Sequence, residues 1–151
     1  MSNNCFSTQD CNTIIQRINA LQPNTQRLWG KMSVAQMLKH CSIPYHQIFD
    51  PNFPKPPAMM RLLLKWFYKK SMVDTSPYKQ NLPTAPSFII QDEPDFETNK
   101  QALIDNILKV CAMGSEAFEN RKQVTLGALS STEWSNMLYK HLDHHLRQFG
   151  V

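Results

Sequence analysis

The stretch Ser130-Ser131-Thr132-Glu133-Trp134-Ser135-Asn136-Met137-Leu138-Tyr139-Lys140-His141-Leu142-Asp143-His144-His145-Leu146-Arg147-Gln148 decides the fold. It opens on Ser-x-x-Glu, the signature of a capping box, in which two side chains satisfy backbone donors that a helix start leaves free. It contains neither proline nor glycine, and Gly150 stands past its end as a stop signal. Taking His141 as zero and about 100° per residue, Trp134, Leu138, Leu142, Leu146 and Phe149 fall between about +20° and +140°. One apolar stripe on a long helix needs other helices to bury it. The spacing predicts a helix over 131–148 lying against a core.

Three further helices follow from the same logic. The first spans about Thr8 to Leu21, with Ile14, Ile15, Ile18 and Leu21 in register and Pro23 beyond its end. The second opens at Ser33-x-x-Gln36, another capping box, followed by Val34, Met37, Leu38, Cys41, Tyr45 and Ile48 at helical spacing. The third runs from about Phe96 to Met113, with Asp95 as N-cap and Gly114 as stop, and with Leu103, Ile104, Ile107, Leu108 and Cys111 as its stripe. Nine of the ten prolines fall between Pro44 and Pro94, so the long helices should lie mostly outside that middle region. Within it, Ala58 to Met72 reads as one additional helix. Pro77 to Pro94 reads as an extended crossover, ordered but outside the bundle from Ser76 to Pro86, with Ser87-Phe88-Ile89-Ile90 as an extended piece. No period-2 alternation lasts long enough to predict a sheet. The expected fold is all-α: a four-helix bundle with a long proline-rich crossover carrying an extra helix.

Length and composition bound the rest. A chain of 151 residues is one domain's worth, 1–151, and with 42% hydrophobic residues it has enough apolar material for a core. Global disorder is excluded. No apolar run is long enough for a transmembrane helix, and Met1 to Cys5 lacks a basic segment followed by an apolar one, so a cytoplasmic protein is expected. The net charge of +4 is too mild to demand a nucleic-acid partner. Cys5, Cys11, Cys41 and Cys111 form no C-x-x-C pair and read as reduced, mostly buried thiols. No P-loop, GxGxxG fingerprint or Ser-His-Asp arrangement is present.

The histidines carry the chemistry. Five occur: His40, His46, His141, His144 and His145. His141 and His145 are one helical turn apart, the spacing at which two imidazoles can chelate one divalent ion. His145 falls at about +40°, within the inward stripe, and His144 at about −60°, on its edge. A third ligand would have to come from His40 or His46 on the second helix. Both flank that helix's stripe, at about −120° and +120°, and periodicity leaves the choice open. Pro44, four residues after His40, removes the amide that would bond the His40 carbonyl and should bend the segment. Asp143 at about +200° faces away from His141, and Glu133 is accounted for as a cap.

Met37-Leu38-Lys39-His40-Cys41 and His141-Leu142-Asp143-His144-His145-Leu146-Arg147-Gln148 resemble the metal-binding elements of the DinB-like superfamily, which includes YfiT-like metal-dependent hydrolases. Leu28 to Leu38, Ser76 to Pro86 and Tyr139 to Val151 look like an uncharacterised branch of it. The resemblance implies a four-helix bundle and a divalent metal on His40, His141 and His145. It also implies a small-molecule substrate and a thiol transferase or hydrolase activity drawing on a low-molecular-weight thiol. Eight methionines and the aromatic stretch around Trp66, with the resemblance in part, lead to the expectation of a homodimer. Three imidazole donors suit zinc or nickel better than magnesium. The competing expectation is a non-enzymatic interaction protein, for which the basic and aromatic Arg61-Leu62-Leu63-Leu64-Lys65-Trp66-Phe67-Tyr68-Lys69-Lys70 would be the surface. No nucleic acid or membrane partner is expected.

Overall fold

Both capping boxes form. Ser130 Oγ accepts from the Glu133 amide at 3.2 Å while the Glu133 carboxylate accepts from the Ser130 amide at 2.9 Å. Ser33 and Gln36 make the reciprocal pair at 3.1 and 3.0 Å. Each satisfies donors that the first turn cannot. The computed structural model describes residues 4–151. Met1, Ser2 and Asn3, part of the Met1 to Cys5 stretch on which the expectation of no secretory leader rests, lie outside the described residues.

The chain is mostly helical: α1 (Thr8–Ala20), α2 (Val34–Phe49), α3 (Ala58–Val73), α4 (Phe96–Met113) and α5 (Ser131–Gln148), with a small two-stranded sheet. Its strands, β1 (Arg121–Gln123) and β2 (Gly127–Leu129), pair antiparallel. No sheet was expected, and this hairpin is a correction. Gly127 at φ +80° closes a three-residue turn that residues with a Cβ adopt reluctantly. The Gln123 side-chain oxygen Oε1 then accepts from the Thr125 and Leu126 amides, both at 2.7 Å.

One hydrophobic cluster joins α1, α2, α4 and α5, with α2 against α4 and α5, and α1 against the same two. Ile14 and Ile18, Met37 and Leu38, Leu103 and Ile107, and Trp134, Leu138 and Leu142 are buried in it. Each such aliphatic side chain stabilises the fold by about 1.5–3 kcal/mol relative to exposure. The α4 stripe needs one correction. Leu108 is 47% exposed and Val110 takes the inward place, because at about 100° per residue Val110 lies nearer the Leu103–Ile107 direction than Leu108 does.

α3 packs on α5 and buries none of its own residues. Polar ties hold it: Lys69–Glu133 at 3.1 Å, Asn136 Nδ2 to the Val73 carbonyl at 2.9 Å, and the buried Lys140 ammonium to Asp74 at 2.7 Å. The crossover after it is largely exposed from Ser76 to Ala85, except for half-buried Tyr78. Pro86–Phe88 forms a 3-10 turn in place of the extended piece expected there. Residues 90–93 then clamp the start of α2: Gln36 Nε2 donates to the Ile90 and Asp92 carbonyls, and Lys39 pairs with Asp92 at 2.8 Å. α2 itself continues through Pro44 to Phe49.

Candidate metal centre

His40, on the middle of α2, meets His141 and His145, one turn apart on α5. One ring nitrogen from each lies within 4.8 Å of the others. His40 Nε2 and His141 Nε2 are 3.0 Å apart, and the His145 ring stands edge-on to both, at centroid distances of 4.7 and 4.8 Å. His40 and His145 are buried, while His141 keeps part of its surface open to solvent.

The outer nitrogens fix the tautomers. His40 Nδ1 lies 2.9 Å from the Phe88 carbonyl, which can only accept, so the proton sits on Nδ1 and Nε2 is bare. His145 Nδ1 lies 2.8 Å from Gln148 Oε1. The Gln148 amide is oriented from its other end, where Nε2 donates to the Trp29 carbonyl at 2.9 Å. His145 Nδ1 is therefore the donor, and its Nε2 is bare as well. A partner on the far nitrogen that holds ring and tautomer is the usual support of a metal-ligating histidine.

Electrostatics keep the cluster uncharged. Burial, then the neighbouring imidazoles, pushes His141 well below the usual histidine range. Burial, then His40, brings His145 down to about 3 despite the opposing Gln148 contact. Burial lowers His40 too, against the Phe88 carbonyl. Three neutral imidazoles with two nitrogens bare are a donor set for a borderline-soft divalent ion. Two nitrogens on one zinc at tetrahedral angles stand about 3.4 Å apart, close to the 3.0 Å between His40 and His141. The residues fit such an ion, and the cluster could hold one.

The remaining histidines are not part of this set, although the His144 ring lies edge-on to that of His145 at 5.1 Å. His144 is half-buried at its side, edge-on to Trp29 at 6.0 Å and to Tyr78 at 5.7 Å. His46 is exposed. Asp143 turns away to pair with Arg17 at 2.8 Å and Arg147 at 2.9 Å. Sequence reasoning did not find the Phe88 carbonyl, because a backbone acceptor on a distant turn leaves no side-chain signal. Gln148 was within reach: it follows His145 by three residues, which puts the two on one helix face.

A mostly helical core carrying a three-histidine cluster between two of its helices defines the kind of protein this is. The chain belongs to the family described as protein of unknown function (DUF1569), whose model matches residues 2–150. No curated protein and no solved structure matches it. Among the described residues no helix is long and apolar enough to cross a membrane.

Proposed function

We propose that the whole chain is one DinB-like four-helix-bundle domain that binds a single divalent metal, zinc or nickel, through His40, His141 and His145. The observation that carries this reading is the convergence of three neutral imidazoles, two of them braced from outside by Phe88 and Gln148. Such an ion, with protein ligands on three positions, supplies Lewis acidity for lowering the pKa of a bound water or thiol. The chain's own part is to hold the donors neutral, to fix their direction, and to leave an approach beside the partly exposed His141. His144, Trp29 and Tyr78 would form the wall a small molecule meets there. The activity we propose is a cytoplasmic thiol transferase or hydrolase acting on a small molecule, with a low-molecular-weight thiol as co-substrate for the first.

One observation favours a second reading, a non-enzymatic interaction protein of the same fold. The outward face of α3 exposes Met59, Leu63, Trp66 and Phe67, with Trp66 at 81%, which is a surface for a second copy of the chain. Metal content separates the two. Protein purified without a histidine tag, stripped and titrated calorimetrically with zinc and nickel, should bind one equivalent. No binding after reconstitution would favour the interaction protein.

A further inference from the structure

A cleft of about 420 Å³ opens between the C-terminal end of α2, the first half of α3 and the hairpin, away from the histidines. His40 precedes Gln47, on the cleft wall, by seven residues, or about 10 Å along the helix. The walls are built by specific ties. Gln123 Nε2 donates to Gln47 Oε1 at 3.0 Å, and Arg121 donates to the Ile48 carbonyl at 2.8 Å, locking the hairpin onto α2.

Four cations line this cleft, Lys55, Arg61, Lys65 and Lys122, against one carboxylate, Asp50. None of the four forms an ion pair with an acidic side chain among the described residues. Arg61 Nε is buried and has no hydrogen-bond partner. A shielded donor left unmatched costs free energy, which a shift of the Arg61 side chain into the cleft toward an anion would recover. Lys65 Nζ reaches across to the hairpin, 3.7 Å from where a Cβ on Gly127 would lie. α3 adds the positive end of its dipole, since Pro57 at its start offers no side-chain cap and Ala58 lines the cleft. Ile48, Leu62 and Val124 supply an apolar floor.

We infer that this cleft is a second binding site, for a small organic phosphate whose anionic head meets Arg61, Lys65 and Lys122 and whose apolar part lies on Ile48, Leu62 and Val124. An excess of three positive charges, Arg61 among the four cations, suits a dianion better than a single carboxylate. The volume falls in the range of metabolite-sized pockets.

Calorimetric titration of the metal-free full chain with phenyl phosphate tests it. One-to-one saturable binding is expected, at least tenfold tighter than benzoate or inorganic phosphate, and weakening as salt rises. Arg61→Gln should weaken it at least tenfold. Lys65→Ala combined with Lys122→Ala, both on exposed positions that leave the fold intact, should do the same. Lys79→Ala on the crossover and His145→Ala should leave it unchanged. Absence of saturable binding would overturn the site, as would equal loss in Lys79→Ala. Loss in His145→Ala would move the anion to the histidine cluster. Benzoate binding as tightly would overturn the phosphate class, and inorganic phosphate binding as tightly would overturn the apolar floor.

Discussion

A Cβ at position 30 would strike the Gln148 amide, and Gly30 sits at φ +80°. That amide is the brace of His145, so a residue far from the cluster in sequence controls one of its imidazoles. Gly30→Ala should lower zinc affinity by about 10–100-fold, the range for lost outer-shell partners. Gln148→Leu should match it without backbone strain. Calorimetry on both variants, with circular dichroism confirming an unchanged helix content, is the check. His145→Ala should remove most of the affinity and His144→Ala little, because only the former ring lies in the cluster. Equal loss in the two would refute that assignment. The inward turn of His145 was legible from the 3.6-residue period, since it shares the stripe of Leu138 and Leu142. The meeting with His40 was not legible that way. His40 flanks its own stripe, and a pair of residues on two helices is fixed by how the helices cross, which neither helix encodes alone. The thiols illustrate burial at the same scale. Burial pushes Cys5 up to about 12, and raises Cys11 and Cys41 also. Cys5, Cys11 and Cys41 are buried while Cys111 is partly open to solvent, so iodoacetamide at pH 8 should label Cys111 and spare the other three, as peptide mass mapping would show.

α4 and α5 were legible because a start and a stop are written next to each. α5 has Ser130-x-x-Glu133 before it and Gly150 after it, and α4 has Asp95 and Gly114. Ser130→Ala should cost about 1 kcal/mol, read from the urea midpoint, because it leaves the Glu133 amide without its acceptor and keeps only the backbone half of the box. Leu138→Ala, a buried deletion on the same helix, should cost about 2–5 kcal/mol. A cap loss as large as the core loss would mean that α5 is held chiefly by its end. The hairpin carries no such local signal. Its order depends on Gln123 reaching back to its own turn and across to Gln47, a tertiary bond that three-residue strands cannot announce. α3 was legible as a helix and not as to its setting. An apolar stripe normally marks an inward face, yet here lysine and asparagine contacts hold the helix to α5 while Trp66 and Phe67 face outward.

Folding of the whole molecule places three imidazoles where they resist protonation, and that couples its stability to pH. In the unfolded chain each histidine titrates near 6.5, whereas in the fold His40, His141 and His145 are all lowered, His145 to about 3. Above about pH 6.5 neither state binds these protons and stability is flat. Below it the unfolded state takes up protons that the folded state refuses, so stability falls as pH falls, until the folded imidazoles titrate in turn. His145 alone would contribute a slope of about 1.4 kcal/mol per pH unit once below 6.5. The metal-free chain should therefore show a urea midpoint constant from pH 8 to 7 and declining steadily from 6 to 4.5. Asp74, held below its usual range by the Lys140 hydrogen bond, adds its loss only at more acid pH. On the proposed reading zinc binds the folded cluster in preference to the unfolded chain, so at pH 7.5 an excess of zinc should raise the urea midpoint, with a stability gain that grows as RT ln(1 + c/Kd) with the free zinc concentration c. It should also defer the acid decline, because protons must then displace the ion first. Replacing His145 with Gln should reduce the metal-free slope by about 1.4 kcal/mol per pH unit, leaving the part that His40 and His141 carry, and should remove most of the zinc response. A slope that persists unchanged in that variant would refute the contribution assigned to His145.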